Sequence, residues 1–370
     1  MLKIPYVNLA AQHAPIKDRL MAAIEGVIDS GRFILGEEVD EFEQRFAELS
    51  GCKFAVGLNS GTDALIFALK ALGVGAGDEV ITVPSSFLAS ASCIAHVGAV
   101  PVFIDVGDDY NMDPSLLEAA ITPKTKAILP VHLTGKPADM DRIMAVAQKH
   151  HLFVVEDAAQ AVCAEHRGKR VGSIGDAGCF SLHPLKTLNA CGDGGVVTTN
   201  DESLYEQFKL LRNHGLQSRD NGVMWAYNSR LDNMQAAILL TKMDYVEEWT
   251  EGRRANANSY RERLSGLEEV RLPTEASHQR SVYHTFVIQA EKREKLRSYL
   301  SDHGVGTAIH YPVPIHLQDA ASELGYGEGS FPVSEHQAAR ILSLPVYPEL
   351  STSEIDYVAD CVRSFYDVEN

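Results

Sequence analysis

Two periodicities share this chain. Val39, Phe42, Phe46 and Leu49 repeat at helical spacing and predict an amphipathic helix. Beyond it, short apolar runs take over: FAVGL (54–58), VITV (80–83), PVFID (101–105), AILPV (127–131), LFVVED (152–157), CFSL (179–182) and VVTT (196–199). These runs are apolar on both faces, as strands buried in the middle layer of a sheet must be. Helical segments, as at 62–73 and 138–150, separate most of them. Strand–helix alternation of this kind predicts an α/β fold with a parallel or mostly parallel sheet of seven strands flanked by helices. In such sheets ligands collect at the carboxyl ends of the strands.

The texture changes near residue 245. EEWTEGRRANANSYRERL is polar and helical, and a shorter strand, YHTFVIQ (283–289), follows. A helix near 291–303, a Pro/His-rich loop, HYPVPIHLQ (310–318), and a last helix from about 353 complete the chain. The expected organisation is a large domain over 1–245 and a smaller C-terminal α/β domain over 246–370. The opening 30 or so residues can pack on either.

Composition narrows the partners. Fifty acidic residues against 33 basic ones give a net charge of −17. That surface repels nucleic acid and anionic lipid, so neither is expected as a partner. A small anionic ligand remains compatible, because local amides can outweigh the global field. No apolar run approaches the length of a membrane span, and the start lacks a leader's apolar stretch. The six cysteines form no CxxC pair. Reduced thiols in a cytoplasmic protein are therefore expected. His310 and His316 lack a neighbouring Cys or carboxylate pattern, so no metal site is expected.

Five segments carry candidate chemistry. NSGTDAL (59–65) joins a strand to a helix through small residues, with Thr62 or Asp63 placed to cap. Such a turn suits a phosphate, and it equally suits an ordinary capped helix. Glu156 and Asp157 end an apolar strand, where a carboxylate either caps a helix or faces a ligand. Lys186 is alone among small and apolar residues in SLHPLKTLNACGDGG (181–195). A sheltered lysine amine is a nucleophile, whereas a lysine on a solvated turn is not. In YNSRLDNMQAA (227–237), Asp232 or Asn233 is placed to cap a helix. HYPVPIH (310–316) concentrates His310, Tyr311 and His316.

Their order is more telling than any one of them. A phosphate turn, then a strand-end carboxylate, then a lysine is what pyridoxal phosphate needs: an anchor, a partner for the ring nitrogen and an amine for the aldehyde.

At this point the chain resembles the nucleotide-sugar aminotransferases of the DegT/StrS-type family, pyridoxal phosphate enzymes of fold type I. FILGEEVDEFEQRFAELSG, SGTDAL, GAGDEVI, GAVPVFIDV, PVHLTGKPADMD, EDAAQA, FSLHPLK…GDGG, LRNHG, YNSRLDNMQAAIL, HYPVPIHLQ and SLPVYPEL follow that family's order nearly end to end. The resemblance implies that Lys186 is the Schiff-base lysine and Asp157 the partner of the pyridine nitrogen. It implies a phosphate site at Gly61, Thr62 and Ser181, with Gln160 near the phenolic oxygen and Phe87 stacked on the ring. Asn228 resembles a phosphate contact donated by a second subunit, which implies a homodimer with shared active sites. His310, Tyr311 and His316 would shape the sugar pocket. Lysine rather than histidine at 186 implies transamination, from an amino acid such as glutamate to a keto group on a nucleotide-linked sugar. The alternatives are a pyridoxal phosphate sugar dehydratase or lyase, and a non-catalytic cofactor-binding regulator.

Overall fold

A computed structural model describes residues 3–369. Each apolar run becomes a strand: β1 (Phe54–Leu58), β2 (Glu79–Thr82), β3 (Val100–Phe103), β4 (Thr125–Ile128), β5 (Phe153–Asp157), β6 (Ala177–Ser181) and β7 (Gly195–Thr199). They form one sheet in the order β1-β7-β6-β5-β4-β2-β3. Neighbours from β6 to β3 pair in parallel, while β7 runs antiparallel between β1 and β6. β4 stops short of the predicted AILPV. The Leu129 amide still bonds the Ile81 carbonyl, but Pro130 has no N–H to continue the ladder.

Helices cover both faces. Gly61–Ala71 is apolar all round, with Leu65, Phe67 and Leu69 in the same cluster as Val80, Ile128 and Val155. On the opposite face, Glu37–Ser50 and Asn233–Met243 sandwich Phe42, Phe46 and Leu239 against Phe180 and Val196. The helix-period residues of the sequence are thus core, and only their placement needed the structure.

A second core forms in the C-terminal part. β8 (Val270–Arg271), β9 (Phe286–Ala290) and β10 (Ile341–Leu344) make an antiparallel sheet with β9 in the middle. Helices Val246–Arg263, Arg293–Asp302 and Thr352–Glu369 accompany it, with Tyr260, Phe286, Leu300 and Val362 buried together. β9 begins three residues later than the predicted YHTFVIQ. The Val282 and Thr285 amides bond carbonyls of Gly135 and Thr134 instead, which pins 282–285 against the first core. Ile315 and Phe331 also return there, packing with Ala91 and Phe103. The opening segment touches both parts: Ile4 bridges Val305, whereas Leu20 packs with Ile238. Among the described residues no helix is long and apolar enough to cross a membrane.

Candidate active site

The carboxyl ends of β5 and β6 and the start of helix Gly61–Ala71 open onto a cavity of about 470 Å³. The second core closes its other side through His284, His310 and Tyr347.

Ser60 caps the helix, rather than Thr62 or Asp63. Its extended backbone (φ −159°, ψ 157°) lets its hydroxyl accept from the Asp63 amide at 3.1 Å, whereas Thr62 and Asp63 are already helical. The Ala64 amide bonds the Ser60 carbonyl. Among the described residues the amides of Gly61 and Thr62 have no acceptor, and both residues line the cavity. A Cβ at Gly61 would lie 2.8 Å from the Ser181 Cβ, so only glycine lets the helix start rest against the end of β6. Two free amides, the positive helix end and the Ser181 side chain therefore converge on one corner.

Adjacent carboxylates meet opposite fates because successive strand residues point to opposite faces. Glu156 is fully buried behind the sheet, accepting from the amides of Gly172, Ile174 and Gly175 at 2.7–2.8 Å and facing His132 at 3.0 Å. Burial pushes its pKa up, but His132 and those amides outweigh burial and hold it below the ordinary value. Asp157 lines the cavity. Its carboxylate accepts from the Ser90 hydroxyl at 2.7 Å and the Ala159 amide at 3.2 Å.

Lys186 follows β6 on a turn closed by its own amide to the His183 carbonyl at 2.8 Å. Its ammonium finds no acceptor among the described residues, and it lines the cavity. Burial pulls its pKa down from 10.5 to about 8, against the pull of Asp157. Near neutral pH a usable fraction is thus free amine.

Gln160 accepts from the Thr134 amide at 2.7 Å and donates to the Tyr311 hydroxyl at 3.3 Å. The Tyr311 ring lies 5.8 Å from that of Phe87, which is largely exposed at the cavity wall. Burial raises the Tyr311 hydroxyl to about 12. His310 meets the Ser343 hydroxyl at 2.9 Å, and burial with the nearby Lys186 charge lowers its pKa to about 4. It is therefore a neutral imidazole.

Two expected residues do not join this cavity. His316 is buried elsewhere, 3.0 Å from Glu335 and against the ring of Phe331, because Pro314 leads into a 3₁₀ turn anchored by Ile315. His316 is therefore not among the residues that line this cavity. Asn228 is exposed on a surface strip beside the fully exposed Trp225. Conversely, sequence reasoning passed over Ser90, His284 and Arg253. Ser90 had a signal, since it sits where a helix follows β2; Arg253 is one of many charges in a polar helix and had none.

The DegT/DnrJ/EryC1/StrS aminotransferase family matches residues 15–363. The chain belongs to this family. Among its DegT/DnrJ/EryC1/StrS relatives, UDP-N-acetyl-3-dehydro-alpha-D-glucosamine 3-aminotransferase of Acidithiobacillus ferrooxidans is 46% identical over 361 residues, 97% of each chain. A protein named pleiotropic regulatory protein in Geobacillus stearothermophilus is 43% identical over 368 residues, 99% of each. The solved structure of Streptomyces venezuelae DesV with a ketimine intermediate superposes with a TM-score of 0.97 at 42% identity, covering 99% of both chains. Solved members include forms with pyridoxal and pyridoxamine phosphate, and pyridoxal phosphate is the family's cofactor. The free amides at 61–62, the Asp157 carboxylate and the unspent Lys186 amine fit that group.

Proposed function

We propose that this protein is a pyridoxal phosphate aminotransferase that moves an amino group from an amino acid, glutamate first among candidates, to a keto group of a nucleotide-linked sugar. The observation that carries the proposal is the meeting, in one cavity, of an ammonium without an acceptor, a strand-end carboxylate and a helix start with two open amides. Relatives named for amino transfer on nucleotide sugars support the substrate class.

When bound, the cofactor supplies an aldehyde for amines and an electron-poor ring that accepts charge from a substrate carbon. Gly61, Thr62 and Ser181 would hold its phosphate, and Asp157 would hold the proton on its ring nitrogen by a charge-assisted bond. Ser90 and the Ala159 amide keep that carboxylate oriented. Phe87 would cover the ring, and Gln160 would serve the phenolic oxygen. Lys186 would anchor the group through its amine, and its Nζ, once released, would carry the proton to and from the donor α-carbon. His310 and Tyr311 face the sugar, the first as a neutral donor or acceptor.

Asn228 stands outside its own cavity, and in this reading it reaches the phosphate held by a second copy, so that the working unit is a homodimer in the cytoplasm. The domains act as the bodies 1–245 and 246–370 on either side of the cavity. A purely regulatory role fits less well, since a net charge of −17 suits no nucleic acid.

The test is a single-turnover reaction. L-Glutamate added to cofactor-loaded protein is expected to give 2-oxoglutarate and the pyridoxamine form, which then discharges to a keto-sugar nucleotide. Borohydride reduction followed by peptide mass spectrometry should place the cofactor on Lys186. Label on another lysine, or no 2-oxoglutarate, would overturn the proposal.

A further inference from the structure

Asp157 is served by hydroxyls from outside its own strand. Ser86 precedes helix Ala89–His96, and Ser90 lies in that helix's first turn. Both line the cavity, and both are almost wholly buried, at 3% and 1% exposure. The Ser90 hydroxyl lies 2.7 Å from Asp157 Oδ2, and the Ser86 hydroxyl lies 2.7 Å from that of Ser90. Counting hydrogens fixes the direction of both bonds. A carboxylate anion only accepts, so the one hydrogen of Ser90 goes to Asp157. Ser90 Oγ must then accept from Ser86, whose hydrogen is thereby also spent. Two hydroxyl dipoles point at one carboxylate, and bonds in such a chain strengthen one another.

Few other groups act on this carboxylate. Among the described residues its only further donor is the Ala159 amide, and it forms no ion pair with a lysine or arginine. The nearby thiols of Cys93 and Cys179 are pushed well up, by burial first and then by the Asp157 charge, so both are neutral. The hydroxyl chain therefore bears on which of two partners keeps a shared proton. If the cofactor's ring nitrogen gave its proton to Asp157, Ser90 would donate to a neutral acid instead of an anion. That bond is roughly half as strong. The Ser86 bond, polarised by the one beyond it, would weaken with it. Transfer of the proton to Asp157 is thus penalised twice over.

We infer that Ser86 and Ser90 are positioning residues whose hydroxyl chain, acting through Asp157, keeps the proton on the cofactor's ring nitrogen. The inference rests on the cofactor site of the aminotransferase reading, and its experiment separates the two. The protein is loaded with pyridoxal phosphate isotope-labelled at the ring nitrogen, whose NMR shift reports whether that atom is protonated. The wild-type signal should sit at the protonated position and that of Asp157→Asn at the neutral one. Ser90→Ala should move it part-way toward neutral. Its turnover should fall about tenfold, with KM for L-glutamate changed less than about twofold, the scale of one hydrogen bond to a charged group. Ser86→Ala, one bond further out, should move the signal the same way by a smaller step. Ser90→Thr, which keeps the hydroxyl, should hold the wild-type signal. Thermal melts and cofactor occupancy check that each variant is folded and loaded, and Ser86→Ala carries the test should Ser90→Ala fail to fold. An unmoved signal in either alanine variant would overturn the inference, as would a neutral ring nitrogen in the wild-type protein. Formation of 2-oxoglutarate from L-glutamate would keep the aminotransferase reading intact in that case. The expected shifts in a protein that yields no 2-oxoglutarate would leave the hydroxyl chain standing and sink that reading.

Discussion

Two lysines in this molecule are pulled down to about 8 by burial, and only one of them is placed to react. Lys242, on helix Asn233–Met243, is wholly buried. Its ammonium donates to the Asn189 carbonyl at 2.9 Å and to the Asn189 side-chain oxygen at 2.6 Å. Lys186 borders a cavity and donates to nothing described. A lowered pKa is thus a measure of desolvation, shared by both. What separates a nucleophile from a structural cation is whether its donors are spent and whether a ligand can reach it. The two are linked: Asn189, which receives Lys242, donates its amide to the Lys186 carbonyl at 3.0 Å. The buried lysine holds the loop that carries the reactive one.

The sharpest way to break this contrast is to remove each amine in turn. Lys186→Ala should lower turnover by more than about a thousandfold, since the proposed reaction would lose both covalent capture and proton transfer. Its melting temperature should hold or rise, because an unpaired buried charge disappears. Steady-state rates and thermal melts check both halves; a variant retaining a tenth of the activity would dissolve the distinction. Asp157→Asn should come next, with turnover down on the order of a hundredfold, because in the proposed reaction this charge would keep the ring nitrogen protonated. The cofactor should remain bound and its absorption maximum should move. Unchanged kinetics would remove Asp157 from the chemistry.

The sequence made the sheet legible because two-sided apolar runs such as FAVGL and LFVVED have few other uses. It also brought Gly61, Asp157, Ser181 and Lys186 into view, since each sits at a strand end or a tight turn where its residue type is unusual. It was weaker where the outcome depended on which face a side chain takes. Glu156 and Asp157 looked alike in the run, and only the strand pleat sent one behind the sheet and the other into the cavity. HYPVPIH put His310 and His316 together, but the 3₁₀ turn at 315–317 carried His316 away to Glu335. Arg253 and Lys242 were illegible for another reason. Helices with several charges conceal which one points inward until packing partners 30 to 53 residues away along the chain are in place.

Milder changes sharpen the comparison. Lys242→Met keeps the volume but leaves both Asn189 oxygens without their donor. We expect a stability loss of about 2 kcal/mol, the scale for stranding buried acceptors of a charged donor, seen as a melting temperature lower by a few degrees. Turnover should fall far less than in Lys186→Ala, and cofactor capture should survive. A Lys242→Met protein unable to bind cofactor covalently would mean that the two lysines share a task.

The smallest effect is in the pH dependence of cofactor capture by the cofactor-free protein. Only the neutral amine attacks an aldehyde, and burial places the Lys186 pKa near 8 instead of 10.5. The sign follows directly. Below about 8 the amine is protonated and capture is slow; above it the amine is free, and the rate rises and levels off. Rapid-mixing absorbance at a series of pH values should therefore give a midpoint near 8. In Lys242→Met the midpoint should stay, because the Lys242 charge does not figure among the influences on Lys186. Asp157→Asn should move it lower, since Asp157 is the one group opposing the effect of burial. A wild-type midpoint above 10 would place the Lys186 amine in bulk water, and the difference between the two lysines would then lie in solvation rather than in the use of their donors.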